Sequence, residues 1–377
     1  IRSKPIKPPT NMQSNYKPIG DYIRLIDNRN SDLAVSELLG VSINKTFIPS
    51  VANVIGSDMA NYKIIRKNQF ACSLMQVRRD KKIPVALYSS EQPAIISQAY
   101  PVFEIIDSNT LLPEYLMMWF SRSEFDREAC FYAVGGVRGS LEWDDFCKMQ
   151  LPIPSLTKQQ EAVDEYNIIQ RRIDLNKQFC EKLEETAQTL YRKYFVDDID
   201  EENLPEGWRW GKLGEVADVK AGGDKPNVFS FVKTKECSIP IFSNGLEEKG
   251  LFGFTNKAVI FKRSITISAR GTIGYCCLRN EPFVPIVRLI VITPFKDCYV
   301  SFLCKYLNKL DFEGSGSVQN QLTIPHLNLQ EILIPNENIL CGFENQNSNI
   351  SNSINILELE NQKLSEFKEL LLSKIGR

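Results

Sequence analysis

"LPIPSLTKQQEAVDEYNIIQRRIDLNKQFCEKLEETAQTLYRKYF", residues 151–195, decides how this chain is built. Tyr166, Ile169, Ile173, Asn176, Cys180, Leu183, Ala187, Leu190 and Tyr194 follow one another at alternating steps of three and four. That spacing is the seam of a heptad helix, and mostly charged and amide residues lie outside it. Neither proline nor glycine occurs between Pro154 and Pro205, which predicts one long helix over 155–196. A shift of 181 residues carries the seam, without a gap, onto Asn347, Ile350, Ile354, Leu357, Asn361, Leu364, Lys368, Leu371 and Ile375. Pro154 falls on Pro335, Lys182 on Lys363 and Lys193 on Lys374, so the chain contains an internal repeat with a second helix over 336–377. Gly342 costs about 1 kcal/mol inside a helix and argues for a start beyond it.

Helices of about 40 residues would be about 60 Å long. With one apolar stripe each, they are unstable alone in water, so they are expected to pair with one another. Two uses are open: packing in a bundle, or a spacer between globular parts, which unbroken heptad spacing favours. Asn176, Asn347, Asn361 and Lys368 are seam polar residues, which cost stability and can fix register.

The repeat shows again at the far end of each half. "YKPIGDYI" (16–23) resembles "WGKLGEVA" (210–217), with Gly20 and Gly214 in register. Residues 24–145 and 218–326 show no convincing similarity to each other. Both contain short strand-like runs, "YKIIRKNQFACSLMQV" and "YPVFEII" in the first, "AVIFKRSITISA" and "PIVRLIVITP" in the second. Helical patches "PEYLMMWFSRSEFDREACF" and "YVSFLCKYLNKL" follow them. The expected fold class is α+β: two mixed α/β globules with two long helices, the opening "IRSKPIKPPT" of residues 1–15 being a disordered lead-in.

The 377 residues carry 45 Lys+Arg against 46 Asp+Glu, a net charge of −1, so no global basic excess advertises nucleic acid. Charge is nevertheless segregated. Residues 61–82 hold seven basic side chains and one acid, Asp80, while "VDDIDEEN" (196–203) is acidic. No apolar run approaches the ~20 residues of a membrane-spanning helix. The ten cysteines include no C-x-x-C, and they read as reduced thiols of a cytoplasmic protein. The chain has one histidine, His326, which excludes a His-rich zinc site and argues against a His-based triad. It reads as a satisfied structural residue. No phosphate-binding loop of the G-x-x-x-x-G-K-[ST] type is present, and no catalytic or metal-ligating constellation was found.

What the chain has instead are glycine-flexed, basic or amide-rich loops beside strand ends. Glycine lets backbone approach phosphates, Arg forks onto guanine edges or phosphates, and Asn and Gln pair with adenine. The DNA-contact candidates are Arg78, Arg79, Lys81, Lys82, Gly136 and Arg138 in the first half. In the second they are Lys220, Gly223, Lys225, Ser243, Asn244, Arg270, Gly271, Thr272, Gln319 and Asn320. In "SITISARGTIG" (264–274), Ile265, Ile267 and Ala269 alternate with Ser264, Thr266 and Ser268, the pattern of a half-buried strand. Lys257, Lys262, Arg263, Arg270 and Arg279 then read as a basic tip. The competing reading is a tight turn that merely joins two core strands.

"LPEGWRWGKLGEVADVKAGG" (204–223), "IPIFSNG" (239–245), "ITISARGTIG" (265–274), "PIVRLIVI" (285–292), "MQLPIPSLTKQQEAV" (149–163) and "GGVRGSLEWDDF" (135–146) are the stretches by which the chain resembles the specificity (S) subunits of type I restriction–modification systems. The resemblance runs from about residue 16 to the end, and "IPIFSNG", "ITISARGTIG" and "PIVRLIVI" look like the central strands of the family. It implies target recognition domains over 16–154 and 197–335, separated by the helices 155–196 and 336–377 paired antiparallel as a coiled-coil spacer. It further implies a non-catalytic subunit binding double-stranded DNA at a split, asymmetric target. Two methyltransferase (M) subunits would bind S-adenosylmethionine and methylate adenine, and restriction (R) subunits would join for cleavage. Near-neutral charge adds the expectation that the isolated chain binds DNA weakly. The alternative is a coiled-coil interaction or scaffold protein without nucleic acid.

Overall fold

The computed structural model describes residues 16–50, 58–134, 139–310, 312 and 322–375. The chain separates into two units, residues 1–175 with 360–377 and residues 176–359, so the division falls inside both long helices. The lead-in expected over residues 1–15 lies outside the described residues.

The first unit has strands Tyr16–Pro18 (β1), Ile23–Ile26 (β2), Leu38–Val41 (β3), Phe47–Pro49 (β4), Lys63–Ile65 (β5), Gln69–Cys72 (β6), Val85–Leu87 (β7), Ala94–Ile96 (β8), Val102–Ile105 (β9) and Gln150–Pro152 (β10). Its helices are Val77–Asp80 (α1), Pro113–Phe120 (α2), Ser123–Tyr132 (α3), Trp143–Lys148 (α4) and the first half of Leu156–Phe195 (α5). One sheet has the order β2-β9-β6-β7, a second β4-β3-β8-β5, and β1 pairs with β10. The two-residue period of β6 sorts its side chains between two cores. Phe70 and Cys72 face the helices, while Ala71 packs with Ala86, Val102 and Ile96 against the second sheet. Phe70 and Phe103 stack at 5.1 Å, and Phe120, Phe125 and Phe146 close round them.

The second unit has strands Arg209–Lys212 (β11), Ala217–Ala221 (β12), Ile239–Phe242 (β13), Leu251–Thr255 (β14), Ser264–Ile267 (β15), Cys276–Arg279 (β16), Val284–Pro285 (β17), Ile290–Pro294 (β18) and Glu331–Ile334 (β19). Its helices are Val300–Leu307 (α6), Ile324–Leu329 (α7) and the first part of Glu337–Lys374 (α8), with the second half of α5. The sheet orders are β12-β18-β15-β16 and β14-β13-β17, and β11 pairs with β19.

These orders match those of the first unit strand for strand. β2, β9, β6 and β7 correspond to β12, β18, β15 and β16. The second sheets agree too, since β3 and β13 each pair antiparallel with the next strand and parallel with a later one. So the interiors, unrelated in sequence, share one topology; β5 is the addition of the first unit. The repeated glycines have a physical reason. A Cβ on Gly20 would stand 2.7 Å from Cys147 Cβ on α4, and one on Gly214 3.0 Å from Asn328 Oδ1 on α7. At both places a helix is drawn against the turn that follows the first strand of its unit. Gly20→Ala should therefore cost about 1–3 kcal/mol by overpacking, measured by thermal or urea denaturation.

β15 departs from the half-buried strand expected of it. Ser264, Thr266 and Ser268 are buried like the isoleucines between them. Ser264 Oγ lies 2.9 Å from Thr293 Oγ1, and Thr266 Oγ1 accepts from Arg279 Nε at 3.0 Å. The second sheet covers this face, Arg279 lying 3.6 Å over the Phe242 ring, so polar groups there must be satisfied internally.

Every residue of both seams is buried or half-buried, including Ile169, Ile173, Leu183, Leu190, Ile350, Ile354, Leu357, Leu364 and Leu371. In the first unit Lys368 Nζ donates to Gln170 Oε1 at 2.7 Å, and Arg172 pairs with Glu360 at 3.1 Å, so the helices run antiparallel. Asn361 Nδ2 donates to the Ile173 carbonyl at 3.4 Å. In the second unit Gln346 Nε2 donates to Tyr194 Oη at 2.8 Å. α8 starts at Glu337, ahead of Gly342 and not after it, and runs through the glycine to Lys374. Leu340 and Phe343, fully buried among Tyr191, Tyr194 and Phe195, outweigh the glycine's entropic cost.

Candidate nucleic-acid interface

In the second unit, "SARGTIG" forms the connection from β15 to β16. Ser268 N–H donates to Tyr275 O at 3.0 Å and Gly274 N–H to Ser268 O at 3.0 Å, closing a tight loop. Gly271 and Gly274 have φ of +74° and +87°, conformations that side chains strain to reach. A Cβ on Gly271 would meet nothing within 4 Å, so its backbone is open to a ligand. Arg270, Gly271 and Thr272 are all exposed.

Asn244 binds this loop to its neighbours. Its Oδ1 accepts the Ala269 N–H at 2.9 Å, and its Nδ2 donates to Val287 O at 2.9 Å. Val287 N–H in turn donates to Gly223 O at 3.0 Å, and Gly223 N–H to Pro285 O at 3.2 Å. Gly223, Ser243, Asn244, Arg270, Gly271 and Thr272, from three separated stretches, therefore form one surface. Lys220 and Lys225 are turned to local partners, Lys220 to Asp218 at 2.5 Å and Lys225 onto the Phe229 ring at 3.8 Å.

"PIVRLIVI" holds a feature the sequence reading missed. It is not one strand but two, β17 and β18, joined by a turn in which Leu289 N–H donates to Ile286 O at 3.0 Å. Val287 and Arg288 both have positive φ, 54° and 58°, and both are exposed. Such a conformation costs about 1–3 kcal/mol for a non-glycine residue and persists where surrounding contacts hold it. Here the holding contacts are Asn244 and Gly223. No glycine or asparagine marks this turn, so periodicity alone reads through it.

In the first unit, Arg78, Arg79, Lys81 and Lys82 lie in the connection from β6 to β7, carried on or beside α1. That is the topological position "SARGTIG" holds in the second unit. All four are exposed, and Arg79 pairs with Asp80 at 2.6 Å, which lowers the carboxyl's pKa and raises the guanidinium's. Gln76 and Lys81 bracket α1 in the left-handed region. Gly136, Arg138, Gln319 and Asn320 lie outside the described residues. The described residues that follow them are anchored on the basic connections: Arg78 N–H donates to Gly139 O at 3.4 Å, and Leu322 N–H to Ala269 O at 3.1 Å.

The basic tips are smaller than the sequence count. Arg263 pairs with Glu344 at 2.9 Å, and Arg279 is buried, its pKa lowered by desolvation. Lys63 donates to Tyr100 O at 3.0 Å, and Lys67 pairs with Glu91. His326, read as a satisfied structural residue, lies on α7 with its side chain exposed. No described helix is long and apolar enough to cross a membrane.

Residues 205–369 match the family model of the type I restriction modification DNA specificity domain. A putative type I specificity subunit of Mycoplasma pneumoniae is 33% identical over 147 residues, 39% of this chain and 43% of that protein. The chain thus matches less than half the length of that relative. The specificity subunit of the type I restriction enzyme MjaIX of Methanocaldococcus jannaschii is 22% identical over 72% of this chain and 70% of its own. The fold is shared with a crystal structure of a type I restriction-modification S subunit from M. genitalium, at a TM-score of 0.62 and 15% identity over 98% of both chains. The second unit thus matches the DNA specificity domain of type I restriction–modification systems, and the first unit repeats that unit's sheet topology.

Proposed function

We propose that this chain is the non-catalytic, DNA sequence-reading subunit of a methyltransferase complex. Each unit reads one half of a split, asymmetric double-stranded target. The observation that carries this is the shared position of the two basic connections, β6 to β7 and β15 to β16, on matching sheets whose residues differ. Equal placement with unequal side chains suits two readers of two different half-sites. Most Lys and Arg contacts to DNA go to phosphates, so Arg78, Lys81 and Lys82 position the duplex. On this reading Arg270 and Arg288 reach base edges, and Asn244 holds the loops that carry them.

The paired helices serve as the spacer that sets the unread gap, since half-site separation follows protein geometry in DNA readers of this kind. Two M subunits supply S-adenosylmethionine and adenine methylation, and R subunits supply cleavage, in the cytoplasm. The chain itself holds no cofactor. Its net charge of −1 leaves the isolated chain a weak, salt-sensitive binder until the M subunits close round the duplex.

The test is co-expression with the partner methyltransferase in a host free of adenine methylation, followed by genome-wide mapping of modified adenines. A split motif with a fixed gap that vanishes when this chain is omitted is the expected result. An assembled complex that adds no methylation would turn the reading to a scaffold protein. Within the active complex, Arg270→Ala should weaken target binding by about 1–3 kcal/mol or relax one base of the motif. If "SARGTIG" merely joins two strands, that variant leaves both unchanged.

A further inference from the structure

All ten cysteines are free, and one pair of them stands beside a carboxylate. Cys298 lies in the turn Asp297–Tyr299 that leads into α6. Glu337 and Cys341 are one turn apart on the first turns of α8. Their Sγ and carboxylate oxygen atoms all lie within 4.8 Å of one another. Donors around a tetrahedral zinc ion stand about 3.5–3.8 Å apart, given Zn–S near 2.3 Å and Zn–O near 2.0 Å. The described group needs only side-chain rotation to close to that size. The i, i+4 pair on α8 sets two ligands on one helix face, and Cys298 supplies the third from another element.

We propose that Cys298, Glu337 and Cys341 form a binding site for a thiophilic divalent cation, zinc being the ion that fits two thiolates and a carboxylate. Three protein ligands leave the fourth tetrahedral position for water. Two soft sulfur donors select zinc over magnesium or calcium, which want oxygen alone. Each thiol gives its proton to the medium as it binds, with no change of oxidation state. The ion would tie the start of the long helix α8 to the head of α6, both within the second unit. Lys296, whose Nζ pairs with Glu337 Oε2 at 2.5 Å, holds the carboxylate and competes with the ion for it.

The test uses the full chain, reduced and stripped with chelator, titrated with cobalt(II) as a coloured stand-in for zinc. One equivalent should develop thiolate-to-cobalt charge-transfer absorption, bleached by one equivalent of zinc. Cys298→Ser and Cys341→Ser should lose the band, and Glu337→Gln should weaken binding about tenfold or more. Cys277→Ser, at a buried cysteine outside the group, should keep it. Lys296→Met should raise the affinity, whereas a lysine that merely props the helix would lower it or leave it unchanged. Absent charge-transfer absorption, a band that survives Cys341→Ser, or a Cys298–Cys341 disulfide found by mass in the chain prepared without reductant would overturn the proposal.

Discussion

Asn244→Ala should lower the affinity of the assembled complex for its target by about 5–150-fold at fixed salt, equivalent to about 1–3 kcal/mol. The asparagine links two loops with two hydrogen bonds, to the Ala269 N–H and to Val287 O, each at 2.9 Å. The two bonds are not equal. Ala269 is buried, so its orphaned N–H costs the full desolvation of an amide, about 1–3 kcal/mol of stability in the second unit. Val287 is exposed, and water can replace the bond to its carbonyl, but nothing then holds the left-handed turn that presents Arg288. Asn244→Asp separates the contributions. Its carboxylate still accepts from Ala269 N–H but repels Val287 O, so stability should hold better than binding. Equilibrium unfolding and target binding, measured on both variants, check this. Alanine with unchanged affinity would show that neither loop meets DNA.

Lys45→Met should cost the first unit about 3–5 kcal/mol by leaving a buried carboxylate unpaired. Lys45 sits in the β3–β4 turn with φ of 63°, and its Nζ pairs with Asp126 Oδ1 at 2.7 Å while also donating to Phe120 O. Both side chains are about a tenth exposed, 9% and 10%. Asp126 Oδ1 also accepts from Ile83 N–H at 3.1 Å, just past the basic connection, so the pair braces the loop that carries Lys81 and Lys82. Burial lowers the Lys45 pKa, with the Asp126 charge opposing it. The folded state therefore holds fewer protons than the unfolded one between that lowered value and the ordinary ~10.4, and stability rises with pH across that window. In Asp126→Asn the opposing charge is gone, the pKa falls further, and the window widens toward neutrality. Denaturation from neutral to alkaline pH should show that variant gaining stability over a wider range, while Lys45→Met lacks this contribution.

The heptad positions from Tyr166 to Tyr194 and from Asn347 to Ile375 were legible because a helix's burial pattern is a local property of its sequence. The repeated Gly20 and Gly214 were legible for a related reason: at both places a helix packs so closely that any side chain is crowded. Candidate loops at Gly223, Asn244 and Arg270 could be named from residue type. That they meet was not readable, because Asn244 reaches Ala269 by a direct hydrogen bond and Gly223 through the Ile286–Leu289 turn, all far apart in the chain.

The same limit explains what was misread. Ser264, Thr266 and Ser268 have the alternation of a solvent-facing edge, and only the second sheet packed over them makes that face interior. Gly342 carries a real helix penalty, which distant aromatic residues outweigh. By itself the sequence determined the long helices, the repeat and the kind of residue at strand ends, since periodicity and conformational freedom act over a few neighbours. Only the tertiary structure decided that unlike interiors share one topology, that Asn244 ties the loops, and that Val287 and Arg288 are held in a strained turn. Those depend on hydrogen bonds and burial between segments far apart in the chain, which no local pattern encodes.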